Sequence, residues 1–264
     1  MKTLSATVEP PRIIPCLLLD GTGLVKGQKF KDYKYVGDPI NAVNIFNSKE
    51  VDELAFLDIR ASSQGRVIDR SLVEKIADEC YMPFAVGGGI KTVEQVRGLL
   101  ASGAEKVVIG TEALANPKLI TAIADKFGSQ SVVVSVDAKL DFFGRYRLRS
   151  HSGTKKTNRQ PIEFAKEIAE AGTGEILLNS IDQDGMMQGF DHGLVRQIVD
   201  AVNVPVIACG GAGSLDHMAS CYKEAGATAF AVGSFVVFHG RKRAVLITYP
   251  ERKIIEQSFS QSSQ

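Results

Sequence analysis

Four aspartates stand where a folded chain most easily does chemistry. Asp58, Asp137, Asp182 and Asp184 each close or follow a short apolar run, as in "FLDIRAS", "VVVSVDAK" and "NSIDQDG". A carboxylate at a strand end that faces a cleft is a candidate general acid or base; some of the four are expected to cap loops or bind substrate hydroxyls instead. Glycines accompany them. Gly88-Gly89 and Gly210-Gly211 follow two further apolar runs, and Gly110-Thr111 and Gly233-Ser234 follow another two, each adding a hydroxyl. Backbone N–H groups opened by glycine, with a hydroxyl alongside, suit a phosphate. The two matched sets predict two phosphates at opposite sides of one mouth, although tight turns alone would account for either set by itself. A third group, Arg12, Glu53, Lys106 and Glu175, lies at the other ends of the runs. Two acids and two bases there predict a closed ring of ion pairs, against the plainer reading of solvated charges where strands begin.

Placing these residues requires elements. Short β-branched runs predict strands over 12–19, 54–59, 83–87, 106–110, 131–137, 175–181, 205–209 and 228–233. Amphipathic segments lie between them. Asp38-Pro39 and Asn116-Pro117 each put proline at a first helical position, and Thr92 with Gln95 reads as a capping box. Eight strand–helix alternations predict a closed (β/α)8 TIM barrel, with an open doubly wound sheet as the alternative. The expected organisation is a flexible tail over 1–11, one barrel domain over 12–250 and a C-terminal tail over 251–264.

The chain also repeats itself. "DELAFLDIRAS" resembles "GEILLNSIDQDG", "MPFAVGGGIKT" resembles "VPVIACGGAGS", and "GAEKVVIGT" resembles "GATAFAVGS", at offsets of 122 to 123 residues. A constant offset near half the chain predicts two similar half-barrels. In a barrel of this kind the strand ends that carry the acids form the reactive face. By strand alignment the partner of Asp137 in the first half falls close to Leu18, in "RIIPCLLLDGTG". One half carries an acid where the other carries leucine.

Composition narrows the setting. The 264 residues are 44% hydrophobic with a formal net charge of +1, which suggests no nucleic-acid or membrane partner. The basic groups "KGQKFKDYK", "SGTKKTNR" and "HGRKR" are expected to be solvated loops, with small phosphate ligands as the other reading. Cys16, Cys80, Cys209 and Cys221 form no CxxC pair, which fits a reduced, cytoplasmic setting. "MKTLSATVEPPR" has no apolar stretch of the secretory kind, and "AFAVGSFVVF" is too short to span a bilayer. No metal and no cofactor are expected.

The motifs together resemble HisF, the cyclase subunit of imidazole glycerol phosphate synthase. "RIIPCL", "GDP", "GGGIK", "SVDAK", "GEILLNSID", "GGAG" and "FH" stand where that family has them, over about residues 12 to 245. The resemblance implies a barrel that takes ammonia from a HisH-like glutaminase at its bottom face. Ammonia would pass a charged gate of Arg12, Glu53, Lys106 and Glu175 and cross the barrel to a substrate with a phosphate at each end. It implies phosphate contacts at Gly89 and Thr111 and, at the far side, at Asp184, Gly185, Gly211 and Ser234. Lys26 matches the lysine of the family's mobile first loop, and Asp137 its second catalytic aspartate.

The departures are specific. The family's first catalytic aspartate is Leu18 here, an asparagine beside one phosphate is Gly110, and the ending "GSFVVFHGRKRAVLITYP" is longer than the usual pattern. "IPCLLL" and this ending are similar to a HisF-like subfamily that works with a sugar amidotransferase in surface-polysaccharide pathways. That likeness implies ammonia delivery for amidation of a nucleotide sugar. The alternatives are the cyclase of histidine biosynthesis, a non-catalytic barrel that binds a bisphosphate, and an isomerase of the HisA type, against which Leu18 also counts.

Overall fold

Alternation along the first strand sets the architecture. In β1 (Arg12–Asp20) Ile14, Cys16 and Leu18 face one way while Ile13, Leu17 and Leu19 face the other, the two-residue period of an extended chain. The first set joins Ala55, Ala85, Val108, Val133, Leu177, Ile207, Ala229 and Ala231 in a cluster about the axis. The second set joins a larger cluster between strands and helices. Two apolar layers around one ring of strands are the mark of a barrel whose interior is packed. The computed structural model describes residues 10–240 and 242–260.

The ring is completed by β2 (Leu54–Asp58), β3 (Phe84–Gly87), β4 (Lys106–Ile109), β5 (Val132–Leu140), β6 (Glu175–Ser180), β7 (Val206–Cys209) and β8 (Ala229–Val232). Each is parallel to its neighbours in chain order. β8 returns to β1, with Arg12 opposite Ala229 and Pro15 opposite Val232. That closure excludes the open sheet and gives the (β/α)8 barrel. The repeat is visible in the backbone: Gly110 (φ −115°, ψ −78°) and Gly233 (φ −112°, ψ −73°) turn β4 and β8 into short helices with almost the same geometry.

Helix starts follow the side-chain signals. Asp38 accepts from the N–H groups of Ile40 and Asn41 ahead of the helix Pro39–Asn47, and the Thr92–Gln95 capping box forms in both directions. Pro117 stands one place earlier than expected, just before the helix Lys118–Phe127.

Three stretches differ from expectation. The chain after β1 forms a hairpin, Gly23–Gln28 with Lys31–Gly37, rather than a plain loop. Its turn uses Lys29 and Phe30 at positive φ, where glycine or asparagine normally gives the signal. β5 runs past residue 137 because it continues into a second hairpin with Tyr146–Ser150. The tail expected over 251–264 contains a helix, Arg252–Ser260. Its Ile255 and Phe259, four residues apart, are buried, and Phe259 meets the rings of Tyr222 and Phe230. Residues 261–264 lie outside the described residues, as do residues 1–9 of the expected N-terminal tail.

Candidate active site

At the C-terminal ends of the strands the barrel opens into a cavity of about 270 Å³. Inward-facing positions supply its floor: Cys16 and Leu18 from β1, Ser135 and Asp137 from β5, Asn179 from β6 and Cys209 from β7. The turns after the strands supply its walls, including Gly87–Lys91, Gly110–Thr111, Gly210–Ala212 and Gly233–Ser234.

Hydrogen bonding sorts the four acids. Asp58 accepts from the N–H groups of Arg60 and Ala61 and is paired with Arg66, so it fastens its own loop although its edge lines the cavity. Asp182 accepts from the Leu140 N–H at 2.9 Å, tying the β6 turn to the β5 hairpin. Asp184 accepts from Lys26 Nζ at 2.6 Å, and both side chains are buried. Asp137 has no cationic partner among the described residues. Only Ser135 Oγ donates to it, at 3.1 Å. Burial, aided by the negative charge of Asp184 and opposed by Ser135, pushes its pKa up to about 6. Of the four, Asp137 alone is tied to no cation and no backbone N–H group among the described residues.

Leu18 also lines this cavity. It stands level with Leu57 on β2, so the floor beside β1 is apolar. Asp20, the next acid along the chain, pairs with Arg60 at 2.9 Å outside the cavity lining. Sequence reasoning overlooked Asn179. It stands level with Asp137 on the neighbouring strand, and its Oδ1 is buried without a hydrogen-bond partner, as is Asp184 Oδ2. The alternation of "ILLNS" carried the signal, since an asparagine two places beyond inward-facing Leu177 must face inward too.

Both glycine–hydroxyl sets line the mouth. In one, Gly89 adopts φ +65° and Thr111 Oγ1 accepts from the N–H of His151 at 2.9 Å. Burial first, and then the charges of Lys155 and Lys91, lower the His151 pKa. In the other, Gly211 adopts φ +119° near Gly185 and Ser234. A Cβ would stand 1.8 Å from the Arg66 carbonyl oxygen at Gly89, and 2.0 Å from that of Gly189 at Gly211. Backbone packing alone thus requires glycine at both, and the case for anions rests on the hydroxyls and cations around them. The far side has a cation that sequence reasoning assigned to a solvated loop: Arg243, which donates to the Gly185 carbonyl at 3.0 Å and to Ser234 Oγ at 3.4 Å.

The opposite end of the barrel is closed by charge. Arg12 bridges Glu53 and Glu175. Lys106 Nζ stands 2.9 Å from each of the same two carboxylates, completing a ring of four. Both glutamates are buried. Burial works against the charged form of Glu175, yet Lys106 and Arg12 outweigh it and hold its pKa below the ordinary range. Between the ring and the mouth the inner wall is apolar, with alanine at Ala55, Ala85, Ala229 and Ala231.

Comparison with known proteins agrees with the architecture. The family described as histidine biosynthesis protein matches residues 12–242. A Pseudomonas aeruginosa protein provisionally named imidazole glycerol phosphate synthase subunit hisF2 is 53% identical over 240 residues, covering 91% of this chain and 96% of its own. A Leptospira borgpetersenii protein, provisionally named subunit HisF of the same synthase, is 48% identical over 241 residues, covering 91% and 95%. A Vibrio vulnificus protein, provisionally named subunit hisF3, is 48% identical over 240 residues, covering 90% and 92%.

Proposed function

The chain belongs to the histidine biosynthesis protein family, and from that premise we propose that it is the barrel subunit of a glutamine-dependent amidotransferase. A HisH-like glutaminase docks at the bottom face and releases ammonia onto the ring of Arg12, Glu53, Lys106 and Glu175. Neutral ammonia crosses the apolar interior at small cost, whereas an ammonium ion would have to shed its water without a partner. The interior therefore favours the reactive species. At the mouth, Asp137 accepts the proton that an attacking ammonia must lose, a role suited to a carboxyl with a pKa near 6.

The finer reading concerns the acceptor. The observation that carries it is the pairing of a complete charge ring with Leu18 on the mouth floor. Leucine moves no proton, so a reaction that needs two carboxylates is not supported here. Delivery of ammonia to a nucleotide sugar, with a sugar amidotransferase as further partner, does not call for a second carboxylate at this mouth. The second reading is the histidine cyclase, which the names of the relatives favour. Complementation separates them. The wild-type gene is expected not to restore growth to a histidine auxotroph that lacks the cyclase, with soluble protein present, whereas growth would sink the amidation reading. A Leu18→Asp gene that restored growth would identify the missing acid.

A further inference from the structure

The chain beyond β8 reaches back toward the mouth. After β8 it forms a small hairpin, Phe238–His239 with Ala244–Val245, whose turn returns to the mouth. Arg243, at the close of that turn, holds φ +51°. Its guanidinium lies 4.7 Å from the centre of the Phe238 ring. It donates to the Gly185 carbonyl and, at longer range, to Ser234 Oγ. Stacking and the carbonyl bond fix the plane of the guanidinium, and the second nitrogen faces the hydroxyl of the far cradle.

Charge balance gives the arrangement meaning. Of the acids and bases at that cradle, Lys26 and Asp184 form a buried pair and cancel. Arg243 has no carboxylate within ion-pair distance among the described residues. It is therefore an uncancelled positive charge there. A phosphate monoester carries close to two negative charges at neutral pH, and neutral N–H and hydroxyl donors alone compensate it poorly. A rigid guanidinium fork matches phosphate oxygens in charge and geometry.

We infer that Arg243 is a substrate-binding residue that selects a phosphate-type dianion at the far cradle, exchanging its long Ser234 contact for phosphate oxygens. The hairpin is the device that delivers it. The inference rests on the two-cradle reading of the mouth and adds a residue and a charge requirement to it.

Inorganic phosphate is the probe, titrated calorimetrically into the purified chain at low salt. The wild-type protein is expected to bind at two sites. Arg243→Gln weakens one of them about tenfold or more and leaves the other within about twofold. Arg243→Lys, which keeps the charge without the fork, recovers part of the loss. Thr111→Ala weakens the other site instead. Because Arg243 lies in a half-buried surface turn, the thermal transition of Arg243→Gln should match the wild type; if that variant does not fold, Arg243→Lys decides by a smaller weakening confined to the same site. Wild-type affinity at both sites in the folded variant overturns the inference and leaves the two cradles standing. A wild-type protein that binds no phosphate overturns both.

Discussion

Asp137 is placed to respond to pH in a way its neighbours are not. Its folded-state pKa of about 6 lies above the ordinary carboxyl value. The folded protein therefore holds this proton more tightly than the unfolded chain. The stability it contributes is full below about pH 4 and lost as pH rises through 6. Asp137→Asn, a neutral isostere, should be more stable than the wild type at pH 8 by about 3 kcal/mol and nearly equal to it at pH 4. Denaturant unfolding at the two pH values measures this; equal stability at pH 8 would show that Asp137 is not strained by burial. By residue type and spacing Asp137 is one acid among four, and in the sequence the family resemblance alone sets it apart. What singles it out in the fold is the hydrogen bonds the other three make, and no spacing encodes those. Asp58 is satisfied from residues two, three and eight places away, which a local reading reaches, but Asp182 and Asp184 are tied by Leu140 and Lys26 across 42 and 158 residues.

At the scale of elements, the strand starts gather the ring. Arg12 begins β1, Lys106 begins β4 and Glu175 begins β6, while Glu53 immediately precedes β2. Lys106→Ala leaves two buried carboxylates to share one guanidinium. The expected cost is about 3 kcal/mol at neutral pH, read from chemical denaturation. The pH trend is opposite to that of Asp137. Glu175 has a lowered pKa, so its contribution is present above the ordinary glutamate value and lost as pH falls through the folded value. The wild-type advantage over Lys106→Ala should therefore shrink in acid, and an advantage that grows in acid would contradict the ring. The C-terminal helix gives a separate test. Phe259→Ala should lose about 3 kcal/mol in thermal or denaturant unfolding, because the ring is buried against Tyr222 and Phe230; a change below about 0.5 kcal/mol would show a loosely docked helix. The barrel strands were legible because alternation and glycine turns are local signals. This helix was not, because its apolar residues are few and its serine-rich sequence resembles a tail. The first hairpin was missed for a similar reason, since its turn carries Lys29 and Phe30 instead of glycine.

Over the whole molecule, the two ends of one barrel do different work. The bottom end is a complete ring of four charges, the interior is apolar, and the mouth floor sets Asp137, which has no cationic partner among the described residues, beside leucine. The twofold repeat, readable as an offset in the sequence, explains why the mouth has two matching glycine–hydroxyl sets. It also shows where symmetry is broken, at Leu18 and in the hairpin that carries Arg243. Entry of ammonia through the ring, as proposed, can be followed in the complex itself. The chain is mixed with the HisH-like glutaminase encoded in the same genome, and glutamine hydrolysis is followed with wild-type and Lys106→Ala barrels. A stable complex is predicted, with hydrolysis rising several-fold on binding the wild-type barrel and ammonia escaping to solvent from the Lys106→Ala complex. Failure of the two proteins to associate, with glutaminase activity unchanged by the wild-type barrel, would contradict it.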